Sequence, residues 1–549
     1  MQIFHNFIEG VNMKGNMQSW GPNVAQIIEH AKVNSPKVEV VSRLISGEVH
    51  KTNYAEVCIR SRKLGSSLLK KGYKEGDVLA TLALNSYRHL EAYFGVSGIG
   101  AVMHTLNFRL HPEQLVYVIN HAEDKVIFVE SPFIPLLEAI KDQIANVKEF
   151  VVLCDKDEVP SSSLDNVISY EEFIEDGDEN FIWPQIDEDA ACGLCYTSGT
   201  TGNPKGVLYS HKSNTLHALT AISSLDVNSS DVILMVVPMF HVNAWSIPFY
   251  APLVGLKIVM PGMQMEGKPL YDLIDSENVT FAFGVPTVWM GLLGYCKSED
   301  LLLKSIKKTV IGGSALSLSL LKELHETHDI DVIQGWGMTE TSPLGTTNLV
   351  TPEMKSMPKE EMYNLQLKQG RACYGVELKI VDDSGNDLPH DGESQGHLLI
   401  RGPWVIKRYF KAEKDATDAN GWFDTGDIST IDEDGYMTIV DRAKDVIKTG
   451  GEWISSIDLE NAAVSHPDVA EACVVGLPHP KWDERPLMVI VTNGNSLTKD
   501  DVIDFLTDKV AKWWLPDEVV FVDELPHGAT GKLLKYELRD KYENLYMEN

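Results

Sequence analysis

The sequence predicts an α/β fold, with a large N-terminal domain of helix-covered, largely parallel sheets and a small α+β C-terminal domain. Three observations carry that expectation. Short apolar runs alternate with amphipathic stretches, several runs end in glycine-rich turns, and the texture changes from about Gly421 onward. Alternation of this kind argues for right-handed βαβ units, whose sites gather at the carboxyl ends of the strands.

In chain order, "DVLATLAL" from Asp77 reads as a buried strand, "YRHLEAYFGVSGIGA" as a helix and "VMHTLN" as the next strand. The order repeats in "VILMVVP", "WSIPFYAPLVG" and "KIVMPG". "TFAFGVP", "KKTVIGG" and "DVIQGWG" add strands, with helical text such as "SLSLLKELHET" between them. After Gly421, "DEDG" marks a hairpin turn between short strands, and "IVDRAKDVIKTGGEWIS" leads into about a hundred residues of compact α+β character. A boundary within Asp441–Lys444 divides the chain into residues 1–443 and 444–549. No repeat period or low-complexity tract interrupts either part.

The chain has 549 residues with 44% hydrophobic content, more than one core accommodates. Its 79 acidic against 48 basic residues give a formal charge of -31, which repels nucleic-acid backbones and anionic lipid. Nucleic acid and membrane are therefore not expected partners. The start lacks a basic leader and apolar run, no stretch matches a membrane helix, and "LYMEN" is not a peroxisomal tripeptide, so a cytoplasmic location is expected. Seven scattered cysteines suggest reduced thiols. Cys192 and Cys195 form one CxxC without a second pair, so a strand accounts for them better than a redox or zinc site. "HETH" at His325–His328 misses metalloprotease spacing by one residue and reads as a polar helix end.

"YTSGTTGNPKGVLYSH", Tyr196 to His211, concentrates glycines, hydroxyls and one lysine. It is not the nucleoside-triphosphate loop with four residues between its glycines, because only two residues separate Gly199 and Gly202 and Gly206 replaces the hydroxyl after Lys205. Its turn glycines leave backbone N–H groups free to form an anion nest. Thr197, Ser198, Thr200 and Thr201 add hydroxyl donors, and Lys205 adds a point charge suited to phosphate.

With this loop, "GWGMTETSP", "WFDTGD", "DRAKDVIKTGGE" and "GATGK" follow the order and approximate spacing found in the adenylate-forming enzymes. Nearly the whole chain resembles that superfamily, which includes acyl-CoA synthetases, peptide-synthetase adenylation domains and firefly luciferase. The resemblance implies two steps: a carboxylate attacks the α-phosphate of ATP to give acyl-adenylate and pyrophosphate, then a thiol displaces AMP. ATP, Mg2+ and CoA are the implied cofactor and co-substrates, and a homodimer is compatible with the family.

Residue by residue, the resemblance implies that Lys205 faces the departing pyrophosphate and that Glu340, beside Thr339, holds magnesium with Thr200. Trp336 would stack on adenine with Gly313, Ser314, Gln334 and Gly335 around the nucleotide, Asp427 would accept the ribose hydroxyls, and Arg442 would stand near ribose and α-phosphate. Lys532 is the principal catalytic residue, neutralising charge that builds during adenylation. Lys444 matches a hinge about which the small mobile domain swings, withdrawing Lys532 and bringing Lys448, Gly450, Gly451 and Glu452 to the thiol route.

The acyl pocket is expected near His241, Trp245, Met239, Gly312 and Met338, with His241 resembling a gate. Gly337 stands where acetate-restricted members carry tryptophan, so its lack of a side chain is expected to open room for a longer acid. These stretches lack charge, which favours an apolar acid. The chain looks most like short- and medium-chain fatty acyl-CoA ligases, including those acting on 3-(methylmercapto)propionate. A free-standing enzyme loading a carrier protein and a non-catalytic nucleotide sensor are the alternatives.

Overall fold

The computed structural model describes residues 16–197, 203–449, 452–494, 496–528 and 533–547, with only the backbone for Glu452. Among the described residues the strands form four sheets. One runs, in spatial order, Val167–Ser169, Glu149–Val152, Val126–Val129, Val78–Leu82, Val102–Thr105, Ala191–Tyr196 and Gly206–Ser210. Its pairings are parallel except the last, where Ala191–Tyr196 turns back on Gly206–Ser210 around the glycine-rich loop. A second sheet carries Asp331–Gly337, Lys308–Ile311, Phe281–Gly284, Val232–Met235, Lys257–Met260 and Glu39–Arg43 in parallel, with antiparallel strands at its edges.

The middles of these strands are mostly apolar because helices cover both faces. Val78–Leu82 is buried at every position, and the helix Tyr87–Ser97 that follows is buried all round. Ser86 caps that helix by accepting from His89 N–H, and the chain leaves it through a turn at Gly100 with φ +79°. The text "SLSLLKELHET" forms the α-helix Leu318–Lys322 running into a π-helical turn at Glu323–Thr327. His325 bonds Tyr363 there and His328 accepts from Leu303 N–H, which gives both histidines of "HETH" a packing role. Cys192 and Cys195 lie buried in Ala191–Tyr196, as a strand reading requires.

Antiparallel texture begins well before Gly421. Glu377–Val381, Gly396–Arg401, Phe423–Ile431 and Met437–Arg442 make one four-stranded antiparallel sheet. Its inner residues Leu398, Ile400, Phe423, Ile431 and Met437 join the same core as the helices of the large sheets. From Ile447 onward the chain packs two core clusters of its own, around the long hairpin of Val469–His479 and Asp483–Thr492.

Candidate active site

The strands ending at the quoted motifs bring them together. Ala191–Tyr196 delivers Thr197, whose N–H donates to Lys205 O at 2.9 Å while Lys205 N–H donates to Thr197 Oγ1 at 3.3 Å. These two bonds close the neck of the loop. Ser198, Gly199, Thr200, Thr201 and Gly202 lie outside the described residues, as do Gly450, Gly451 and Lys532. Lys205 Nζ sits 4.9 Å from the centroid of the Tyr409 ring. The same phenol donates to Glu340 Oε1 at 2.8 Å, so one aromatic ring joins the loop cation to the proposed metal carboxylate. Burial first, then the Glu340 carboxylate, push Tyr409 far above the usual phenol range, so it remains a donor.

Glu340 lies in the turn Thr339–Thr341 and is 7% exposed. Tyr209 OH donates to Thr339 O at 2.8 Å and Ile406 N–H to Glu340 O at 2.8 Å, which fixes the turn from two sides. Just before it, Trp336 Nε1 donates to Asp427 Oδ2 at 3.0 Å, and Arg442 Nε stands 2.9 Å from Asp427 Oδ1. Arg442 also donates to Thr425 O at 3.3 Å. The segment Trp336–Glu340 thus grips Asp427 at one end and Tyr409 at the other.

Two expectations need correction. Gln334 is 3% exposed, and the amide orientation that satisfies its surroundings donates to Gln366 O at 2.9 Å and Leu367 O at 3.1 Å and accepts from Gln369 at 2.8 Å. Its polar atoms serve the protein interior rather than the nucleotide. At Gly337 a Cβ would stand 1.9 Å from Pro343 O, at the bulge where the strand loses register with Leu344–Asn348. The glycine permits a close backbone approach, with Met338 N–H donating to Pro343 O at 3.1 Å, and the space beside it is filled by backbone rather than open to an acyl chain. Trp336 is 7% exposed and lies against Gly345, where a Cβ would meet its ring at 2.4 Å.

The expected acyl wall is assembled from separate strands. Gly312 approaches Gly335 so closely that a Cβ would meet Gly335 O at 2.8 Å, Gly313 takes φ +82°, and the Trp245 ring covers both, with Ser314 exposed beyond them. Met239 is fully buried. Val242, Asn243, Ala244, Trp245 and Ser246 have φ of 41°, 54°, 47°, 54° and 69°, a left-handed turn without a glycine. Such backbone costs about 1–2 kcal/mol per residue and persists only where surrounding packing enforces it. His241 precedes this turn and lines a pocket with Thr197, Tyr196, Phe240, Thr105 and His104. His104 Nδ1 lies 2.9 Å from Asp124 Oδ2, a buried pair in which burial raises the carboxyl and the imidazole opposes the shift.

Lys444 is exposed, and partial desolvation pulls its ammonium below the usual range, with Arg539, Arg442 and Lys535 adding repulsion and Asp445 opposing it. Lys448 is exposed; its N–H donates to Glu484 Oε2 at 2.9 Å and its ammonium lies 5.9 Å from the Trp453 ring centroid. Glu452 pairs with Thr449 in the adjoining hairpin, and its side chain lies outside the described residues. Sequence reasoning passed over Tyr409, Tyr209, His104 and Asp124. Tyr409 carries no motif signal, since its value comes from residues 69 positions away or more.

Among the described residues no helix is long and apolar enough to cross a membrane. Residues 28–410 match the AMP-binding enzyme family and residues 458–532 the AMP-binding enzyme C-terminal domain. The chain belongs to the AMP-binding enzyme family, as an AMP-forming acyl-CoA synthetase. It is 48% identical to the 3-methylmercaptopropionyl-CoA ligase of Ruegeria lacuscaerulensis, over 97% of this chain and 99% of that protein. It is also 48% identical to the medium-chain-fatty-acid–CoA ligase of Ectopseudomonas oleovorans, over 98% of this chain and 99% of that protein. The anthranilate CoA ligase AuaEII in complex with anthranoyl-AMP shares the fold with a TM-score of 0.85 at 25% identity, covering 97% of this chain and 100% of that one. ATP-bound MatB from Rhodopseudomonas palustris gives 0.80 at 25% identity, covering 95% and 99%.

Proposed function

We propose that this enzyme joins a short- or medium-chain apolar carboxylic acid to CoA, with 3-(methylmercapto)propionate among its substrates. The observation that carries the reading is the grip of Trp336–Glu340 on both Asp427 and Tyr409, with Lys205 on the far face of the tyrosine. On this reading a phosphate cation, an oxygen ligand and a ribose-accepting carboxylate would all be tied to one strand end. The substrate class is supported by the uncharged wall of Met239, Trp245 and Gly312 and by the two relatives' names. A thioether fills space much as a methylene does, so one pocket accepts both.

Lys205 would hold the leaving pyrophosphate, Asp427 and Arg442 the ribose and α-phosphate side, and His241 the junction of acyl and thiol routes. Glu340 is buried, hydrogen-bonded and all-oxygen in its donor chemistry, which suits Mg2+, and with Thr200 it would hold the ion. Bound there, magnesium supplies charge neutralisation to the phosphates. The large part, residues 1–443, would carry nucleotide and acid. Residues 444–549 would pivot at Lys444 to present first Lys532 and then Lys448, Gly450, Gly451 and Glu452. A cytoplasmic location accords with seven buried, unpaired thiols.

A panel of carboxylic acids assayed for AMP release with and without CoA tests the reading. CoA-dependent turnover with 3-(methylmercapto)propionate and butyrate is expected. Turnover of no acid in the presence of CoA would overturn it.

A further inference from the structure

The helix Lys535–Tyr542 follows directly on the segment 528–534, which contains Lys532. The ends of that segment are tied, through a bridge of His527 to Leu533 and a 2.8 Å bond from Leu534 N–H to Pro526 O. Lys535 and Arg539 stand four apart on one face of the helix. Arg539 donates to Asp445. Lys535 Nζ lies 2.7 Å from Glu460 Oε1 and also donates to Ser456 Oγ. Ser456 in turn gives its N–H, at 2.7 Å, and its hydroxyl to Asp441 Oδ2. Beside it, Ser455 Oγ donates to Val440 O at 2.6 Å. Ser456 and Asp441 are 0% and 1% exposed.

Asp441 and Asp445 flank Lys444, and they belong to different bodies. Asp441 closes the strand Met437–Arg442 of the four-stranded sheet, whereas Ser456, Glu460, Lys535 and the Asp445–Arg539 pair lie beyond Lys444. We infer that Lys535 is a positioning residue that, through Ser456 and Asp441, latches the C-terminal part in the orientation seen here. The inference rests on the proposed pivot at Lys444 and the proposed role of Lys532. Rotation about Lys444 carries Asp445 and Arg539 along together, but it parts Ser456 from Asp441 and Ser455 from Val440. The latch therefore weights one domain orientation against the other, and with it one half-reaction against the other.

The test uses the full-length chain in three variants. Lys535→Met removes the charge and keeps the stem, Lys535→Arg keeps the charge, and Ser456→Ala removes only the hydroxyl link. Pyrophosphate release from ATP and 3-(methylmercapto)propionate is measured separately from thioester formation out of supplied acyl-adenylate and CoA. The ratio of the two rates is expected to shift by about fivefold or more in Lys535→Met and Ser456→Ala and to stay within about twofold of the parent in Lys535→Arg. An unchanged ratio, with both rates kept or both lowered alike, overturns the latch, because a merely structural role lowers both together. If the parent adenylates no acid, the functional reading fails instead. Amide exchange at Ser456 then decides the latch: Lys535→Met accelerates it if the latch exists and leaves it unchanged if not.

Discussion

Trp336 donates its indole N–H to Asp427 at 3.0 Å from the far end of a strand 91 residues away in sequence. The bond fixes which way the Asp427 carboxylate faces before any nucleotide arrives, while Arg442 balances its charge from the other oxygen.

Trp336→Phe keeps a ring against Gly345 and removes that charge-assisted bond, worth about 1.5–3 kcal/mol. The adenylation kcat/KM for ATP is expected to fall roughly tenfold or more, at about 1.4 kcal/mol per decade. An unchanged kcat/KM in a folded variant would show that Asp427 orients itself without the indole.

Tyr409→Phe leaves the ring beneath Lys205 and deletes only the bond to Glu340. Because that donor serves a carboxylate in a buried setting, adenylation is expected to drop by roughly tenfold with a higher magnesium requirement. Tyr409→Ala, which also removes the surface under the Lys205 ammonium, should lose more. Equal activity in Phe and parent enzymes across a magnesium titration would remove Tyr409 from the site.

Gly337→Ala pushes a Cβ into Pro343 O, so the variant must move backbone. Overpacking of this kind costs about 1–3 kcal/mol and lowers Tm. A variant with parental Tm that merely prefers shorter acids would restore the idea that Gly337 opens the acyl pocket.

His89, His211 and His217 are held neutral by burial, with folded pKa values of about 4, about 4 and about 3 against 6.5 unfolded. Between those values the unfolded chain binds more protons, so stability rises with pH there and is lost as pH falls below about 6.5. Glu130, raised to about 7 by burial, opposes this, and burial raises Glu91, Asp124, Asp441, Asp458 and Glu460 in the same sense. Urea midpoints are expected to be lower at pH 5 than at pH 7, and substituting His217 by Gln should flatten the difference. Identical midpoints would count against buried neutral imidazoles.

Lys532→Ala should reduce acyl-adenylate formation by about two to three orders of magnitude, the scale of losing a preorganised charge at a transition state. Thioester formation from supplied adenylate should persist. Matching losses in both half-reactions of a folded variant would sink the division of labour between domain orientations.

Much of the frame was legible because it depends on short-range rules. Alternation of apolar runs located Val78–Leu82, Val102–Thr105 and Asp331–Gly337, and the motif text located Thr197, Glu340, Asp427 and Arg442. The early start of the antiparallel sheet at Glu377 was missed because its strands carry mixed polarity, with one face on the shared core and one toward solvent.

The sequence by itself determined the class of fold, the strand ends at which the site forms and the order of its motifs, since each follows from local periodicity and turn chemistry. Tertiary structure alone decided what those residues do to one another. It turned Gln334 inward, set Tyr409 between Lys205 and Glu340, closed Gly337 against Pro343 and wound Val242–Ser246 left-handed with no glycine to announce it. Each of those outcomes is set by packing between segments distant in sequence, where the cost of a strained turn or a buried amide is offset by neighbours that no local pattern names.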